Sequence, residues 1–529
     1  MNRNRTAAFI LTLIVLSTML MTVQAQEKLQ DVQGNAQKFG RMLRLIESYY
    51  VDTTNIEKLT ENAIISMLAE LDPHSIYISA EEVNKMNEPL EGSFEGIGVS
   101  FNVMHDTIMV VQVIAGGPSE KVGLLAGDRI VKIDAENVAG VSIQNSDVMK
   151  KLRGDKGTKV KLEVVRGRAN APLQFTIVRD KIPLYSMDAS YMLNEEIGYI
   201  KLNRFAKTTA DEINDAIKEL KTHPKFNGLV LDLRGNGGGY LSMAVELADQ
   251  FLPAGKLVVY TDGVHSARKD LNTYRNKQLE DYKLAVLIDE GSASAAEIVA
   301  GAIQDWDRGV IIGRRSFGKG LVQQPFPLTD GSIVRLTTAH YYTPSGRCIQ
   351  KPYEEGAEEY AMDYYNRYQN GELFNADSIH FDENQVFETL LKHRKVYGGG
   401  GIMPDIFMPL DTNINYSYYN QLLQKNLVYE SVMNYQDKHR VTLLKKYPDF
   451  ASYNASFEFD LDIVEQIITK GKAEGIEENE KTEDAIAFAR PRIAKLAKAI
   501  IARSLYSESD YYQVMNADDA EIKRAMKEL

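Results

Sequence analysis

The sequence predicts a multidomain α/β protein, with a β-rich module ahead of an α/β core and helical regions at both ends. Three observations carry this. From Ile197 to Gly313, buried-type strands alternate with amphipathic helices. From about Glu91 to Asp180 the chain reads as short β-branched runs between glycine turns. Apolar residues at helical spacing precede residue 90 and return beyond residue 411. At 529 residues the chain is also too long for one ordinary core.

The first element is an export signal. Arg3 and Arg5 precede an apolar stretch from Ala7 to Val23, and Val23-Gln24-Ala25 supplies small residues for cleavage before Gln26. This places a signal peptide over 1–25 and the mature chain in the periplasm or cell envelope. The alternative is an uncleaved anchor, which would be the chain's only membrane contact. Cleavage removes two arginines and no acids, taking the formal charge from -12 to -14. That acidic total argues against a nucleic-acid binder, whose footprint is basic. The hydrophobic share of 44% and charged share of 25% are those of a folded soluble protein. Cys348 is the only cysteine, so no internal disulfide can form and the fold must stand on buried area.

Residues 26–90 form an N-terminal helical region. Phe39, Met42, Leu43 and Ile46 mark one helix, and Ile64, Met67, Leu68 and Leu71 a second, stopped by Asp72-Pro73. The β-rich module spans 91–180, with strands at Thr107–Val113, Arg129–Ile133, Val160–Val165 and Leu173–Val178 and one helix, Asn145–Leu152. The α/β core spans 181–350 and continues at 398–410. Its strands are Gly198–Leu202, Leu229–Leu233, Leu257–Thr261, Leu284–Asp289 and Val310–Gly313, expected to pair largely in parallel. Residues 351–397 read as an acidic, tyrosine-rich insertion, Gly398 to Gly401 as a flexible joint, and 411–529 as a helical extension with a stripe at Ile493, Leu496, Ala497, Ile500 and Ile501.

Three pieces carry chemistry. Gly291-Ser292-Ala293-Ser294-Ala295-Ala296-Glu297 lies between a strand and a helix, where backbone N–H groups and the positive helix end suit a developing oxyanion. Alone it reads as a helix N-cap. Lys319 stands between Gly318 and Gly320, with Gln323 four residues on, on the same face of an extended segment. Such a lysine serves as a base when an apolar site keeps it neutral; phosphate binding is the alternative, although the P-loop spacing is absent. Asp232-Leu233-Arg234-Gly235-Asn236-Gly237-Gly238-Gly239 can present N–H groups to a phosphate or an oxyanion. His74, His223, His265 and His340 are scattered and form no metal motif, so no metal and no cofactor is expected.

The order of these pieces resembles the carboxy-terminal processing peptidases, or tail-specific proteases, from about residue 38 to 350 and again at Gly401-Ile402-Met403-Pro404-Asp405-Ile406. The resemblance implies a crotonase/Clp-like α/β serine protease core with an inserted PDZ domain. It makes Ser294 the nucleophile, Lys319 the general base and Gln323 the third member of a triad, with the N–H groups of Gly238 and Ala295 as oxyanion hole. Gly235 and Gly237 stand where the family has Asn and Pro. The PDZ resemblance rests on Gly96-Ile97-Gly98-Val99, Ala115 to Leu124 and Gly127-Asp128-Arg129-Ile130. In such modules the loop N–H groups capture a peptide carboxylate while the peptide adds as a strand, which assigns peptide binding to Gly96, Ile97, Gly98 and Val99; a lid without peptide binding is the alternative. The implied activity is endoproteolysis near the C-termini of protein substrates whose tails are accessible. A non-catalytic envelope PDZ scaffold and a crotonase-like acyl-transfer enzyme are the rival readings. Amphipathic segments at both ends make self-association an expectation.

Overall fold

A computed structural model describes residues 31–167, 171–274, 278–411, 417–476 and 482–529. The export signal over 1–25 lies outside the described residues. The chain divides into two units, Met1–Tyr77 and Ile78–Leu529.

In the first unit, residues 31–49 and Ile56–Ala69 are helical. Asn55 caps the second helix, its side chain accepting from the Lys58 N–H at 2.9 Å. That helix stops ahead of Asp72-Pro73 as expected. The apolar spacing does not translate into a closed core, because Phe39, Met42 and Met67 are exposed.

The second unit opens with a helix over Ala80–Glu91, and the β-rich module follows. Val99–Met104, Thr107–Val113, Arg129–Ile133, Lys159–Val165 and Leu173–Val178 form one antiparallel sheet in that order. The strands curl around Ile108, Val110, Ile130, Val148, Leu152 and Val160, all deeply buried. Ser93–Gly96 pairs antiparallel with Asp180–Pro183, so the chain enters and leaves the module side by side. Val99–Met104 is an edge strand of the sheet.

The core is built from β1 (Met187–Met192), β2 (Ile197–Leu202), α1 (Thr209–Leu220), β3 (Gly228–Asp232), α2 (Leu241–Ala248), β4 (Leu257–Gly263), β5 (Ser266–Asn272), β6 (Lys283–Ile288), α3 (Ala295–Asp305), β7 (Val310–Gly313), β8 (Leu321–Pro327), β9 (Ile333–Tyr342) and β10 (Ile406–Phe407). The main sheet runs β1-β2-β3-β6-β7-β10, antiparallel at β1-β2 and parallel elsewhere. Helix α1 buries Ile213, Ala216, Ile217 and Leu220. One expectation is corrected. The strand beginning at Leu257 does not join the parallel sheet but belongs to a second, antiparallel one running β8-β9-β4-β5. Beside the adjacent β5 its other partner is the distant β9, where Tyr260 faces Tyr342, and a local apolar run does not say which edge it will meet.

The segment 351–397 carries helix α4 (Ala357–Gln369) and a hairpin of Val386–Glu388 with Lys395–Tyr397. Gly398 to Gly401 is not a flexible joint. The Gly399 N–H donates to Cys348 O at 2.7 Å and the Gly401 N–H to Ile349 O at 2.8 Å. A Cβ at Gly401 would stand 2.7 Å from Ser316 O, so glycine serves close packing here.

Beyond residue 417 the described chain is helical. Its apolar core takes in Met104 and Met109 of the β-rich module alongside Val428, Val432, Met433 and Ile501. Arg129 Nη2 donates to Asn434 at 3.0 Å and Gln112 Nε2 to Glu508 at 3.0 Å. At its far end the extension meets the core, where Arg234 binds Asp519 and Glu521, and Arg314 binds Glu521.

Candidate active site

Strands β3, β6 and β7 are parallel neighbours, so the loops leaving their carboxyl ends must lie side by side. Those loops are the three segments singled out above: 233–240, 289–294 and 314–320. Cross-loop bonds fix them. Ser292 Oγ donates to Leu233 O at 2.8 Å, the Ala293 N–H to Asn236 O at 2.9 Å, and the Phe317 N–H to Ser292 O at 3.0 Å.

Ser294 stands at the N-cap of α3 with φ 55° and ψ -113°. A non-glycine residue there is strained by about 1–3 kcal/mol, and such strain persists only where the surroundings impose it. The imposing group is Glu297, fully buried one turn into α3. Its Oε2 accepts the N–H of Ser294 at 2.8 Å and of Lys319 at 2.9 Å. Its Oε1 accepts the N–H of Gly318 at 2.7 Å and Ser316 Oγ at 2.6 Å. One carboxyl group therefore ties the backbone of the serine loop to that of the lysine loop. Burial pushes it up to about 7, against the opposing pull of the Ser316, Lys319, Gly318 and Ser294 bonds. The buried Tyr341 makes a second tie, its hydroxyl lying 3.1 Å from Ser294 O and bonded to Lys319 O.

Neither Glu297 nor Tyr341 was singled out from the sequence. Ser294-Ala295-Ala296-Glu297 does have capping-box spacing, a signal from which Glu297 reaching back to the Ser294 N–H can be read. Nothing local marked Tyr341.

The side chains of Ser294 and Lys319 are both partly buried. Gln323 follows on β8, where a register shift falls between Val322 and Gln323. Its Nε2 lies 3.4 Å from Thr337 Oγ1 on β9. A bulge at that point alters the simple same-face reading of Lys319 and Gln323. Burial raises the thiol of Cys348.

Gly238 lies against the serine. A Cβ built on it would stand 2.7 Å from Ser294 Cβ, 2.8 Å from Ala293 O and 3.0 Å from Ala295 N, at φ 95°. Its own N–H donates to Asn236 Oδ1 at 2.9 Å. Ala295 is the first residue of α3, so its N–H has no acceptor within the helix. Gly238→Ala is expected to displace Ser294 and lower kcat/KM by on the order of 100-fold. Gly237→Ala, whose Cβ would meet open space, should stay close to wild type. Steady-state kinetics with thermal melts of both variants check this.

In the β-rich module, Ile97 is buried and Gly98 has φ 77°. Ile97 O and Gly98 O accept from the Ser119 and Ile114 N–H groups at 3.1 and 3.0 Å. The loop of Gly96 to Val99 therefore leads directly into the edge strand.

Residues 196–357 match the model of peptidase family S41, 96–177 that of the PDZ domain, and 14–82 that of the N-terminal domain of the activating protease CtpB. Residues 418–507 match a family of unknown function. The chain is 39% identical over 345 residues to a carboxy-terminal-processing protease of Bartonella bacilliformis, covering 64% of this chain and 77% of that one. It is 35% identical over 318 residues to the carboxy-terminal processing protease CtpB of Bacillus subtilis, covering 59% and 65%. Among solved structures, the photosystem II D1 C-terminal processing protease is 29% identical, with 59% of this chain and 89% of that one covered at a TM-score of 0.34.

Proposed function

The chain belongs to peptidase family S41, among the carboxy-terminal processing proteases, and on that premise we propose that Ser294, Lys319 and Gln323 form its catalytic triad. It is a serine-type protease with a PDZ domain. The observation that carries the triad reading is the double grip of the Glu297 carboxyl on the Ser294 and Lys319 N–H groups, which holds nucleophile and base on one anchor.

In this mechanism neutral Lys319 accepts the Ser294 hydroxyl proton as Oγ bonds to the scissile carbonyl carbon. The carbonyl π electrons move to oxygen, and the oxyanion lies against the N–H of Ala295 and of Gly238, the latter exchanging its bond to Asn236 for the oxyanion. Collapse breaks the C–N bond, and the departing amine takes the proton from the Lys319 ammonium. Water then attacks the acyl ester with Lys319 again as base, and collapse breaks the ester C–O bond as Ser294 Oγ takes the proton back from the Lys319 ammonium. Gln323 orients the lysine without adding charge.

The substrates are proteins cleaved near their C-termini. Gly96, Ile97, Gly98 and Val99 receive the terminal carboxylate, and the Val99–Met104 edge strand pairs with the tail. Export to the periplasm or envelope is inferred from the sequence of 1–25, with the domain boundaries given above. Among the described residues no helix is long and apolar enough to cross a membrane. Incubation of the purified chain with an unfolded protein, read by mass spectrometry, is expected to give fragments cut near the C-terminus. Ser294→Ala should give none; undiminished cutting by that variant overturns the assignment.

A further inference from the structure

The match to the peptidase family ends at residue 357, and the mechanism above gives the rest of the 351–397 segment no task. We propose that this segment is a brace that sets the position of the Lys319 loop, with Arg367 and Lys351 as its positioning residues. The proposal rests on Lys319 being the base.

The loop joining β7 to β8 has glycine on both sides of Lys319, with φ 88° at Gly318, and glycine-flanked backbone does not hold one shape unaided. Glu297 grips it from the serine side. The opposite side is held almost residue by residue. Arg315 Nε and Nη2 donate to Glu372 at 2.6 and 2.8 Å. Arg367, on α4, donates to Arg315 O at 2.6 Å and Ser316 O at 3.2 Å while its Nε binds Glu372 at 2.8 Å. The Phe317 ring faces the Lys351 ammonium at 4.1 Å, and the Tyr360 ring faces it at 4.1 Å from another side. Lys351 also pairs with Asp363 at 3.0 Å, and its N–H donates to Gly318 O at 2.9 Å. The Gly320 N–H completes the series, donating to Gln350 Oε1 at 2.8 Å.

Arg367 and Lys351 are buried, at 4% and 5% exposure. Buried charges of this kind add little net stability compared with apolar packing, so geometric specification is the better account of their presence. Arginine is suited to it, because one planar fork meets two successive carbonyls while its Nε binds a carboxylate. A lysine offers a single point charge and cannot repeat this.

A purely structural segment and a brace differ in their kinetics. In the full chain, Arg367→Gln is expected to lower kcat by about 10- to 100-fold with KM changed less than about twofold. The rise of kcat with pH should also shift, because a displaced Lys319 ionises in a different environment. Arg367→Lys should restore little of the loss. Lys351→Met keeps a long apolar chain between the two rings and should lose less. Wild-type kcat and pH profile in a folded Arg367→Gln, or a loss that matches only its unfolded fraction in a thermal melt, overturns the brace. If Arg367→Gln does not fold, Lys351→Met and Glu372→Gln carry the same measurement, and wild-type kinetics in both overturn it. Lys319→Ala, measured alongside, separates the two readings. Its activity would sink the base assignment, whereas an inactive Lys319→Ala with wild-type Arg367→Gln sinks the brace alone.

Discussion

Lys319→Arg is expected to abolish turnover of an unfolded substrate as completely as Ser294→Ala, with little change in melting temperature. Arginine keeps the positive charge and most of the stem but does not release its proton near neutral pH, so it cannot act as a base. The backbone at this position is fixed independently of the side chain, by the N–H bond to Glu297 and the carbonyl bond from the Tyr341 hydroxyl. The loop should therefore survive the exchange. Loss of a general base costs roughly 10²–10⁴-fold, and a retained positive charge does nothing to recover it. Lys319→Met, neutral and of similar length, should be equally inactive. Steady-state turnover by the two variants checks this. Substantial activity in Lys319→Arg with none in Lys319→Met means that charge rather than basicity is needed at this position, and the mechanism fails.

The sequence made Lys319 legible through its glycine neighbours and Ser294 through its place between strand and helix. What brings them together was legible only in outline. Parallel strands put their outgoing loops on one edge, and the alternation of β3, α2, β6, α3 and β7 was readable from local patterns. Glu297 shows where such reading stops. An acid in the first turn of an alanine-rich helix ordinarily faces solvent and complements the dipole. It is buried here because two other loops close over it, and sequence periodicity carries no record of that. Gly398 to Gly401 failed for the same reason, since four glycines read locally as flexibility while their amides donate to Gln385 O, Cys348 O and Ile349 O and the Gly400 carbonyl accepts from Arg315. The strand at Leu257 was recognised as a strand but assigned to the wrong sheet, because pairing partners are decided by packing and not by propensity.

The helical extension was legible as helices and not as a contact surface. Its stripe at Ile493, Ala497, Ile500 and Ile501 is buried in the extension's own core. Met104 and Met109, by contrast, read as ordinary strand residues of the β-rich module and turn out to pack on the extension. The same extension reaches Arg234 in the glycine loop through Asp519 and Glu521. Asp232, which anchors Arg234 and accepts the Tyr199 hydroxyl at 2.7 Å, is fully buried. Despite that burial, Arg234 and Lys201 hold its carboxyl well below the usual range. The glycine loop is thus held rigid from behind.

Replacing Glu297 should be the most damaging change at the site that alters neither the proposed nucleophile nor the proposed base. Glu297→Ala leaves the N–H groups of Ser294, Gly318 and Lys319 and the Ser316 hydroxyl without their acceptor. Each buried donor left unpaired costs about 1–3 kcal/mol, so the variant should melt well below wild type. In Glu297→Gln the amide nitrogen must face a pair of donors whichever way the group is turned, and kcat should fall by on the order of 100-fold. The pH dependence distinguishes this account from a general loss of packing. Burial raises the folded-state value of Glu297 to about 7 from an ordinary 4.5. Between those values the folded state binds more protons than the unfolded one, so this group's contribution to stability is complete below about 4.5 and declines as pH rises through about 7. The decline amounts to about 3 kcal/mol in total. Turnover should move the opposite way, since only the carboxylate can accept all four donors and hold Ser294 and Lys319 together. Wild-type protein is therefore expected to gain activity and lose melting temperature across this window, and Glu297→Gln to lack that component of the melting trend. Parallel melting curves of the two proteins as a function of pH would show the role to be wrong.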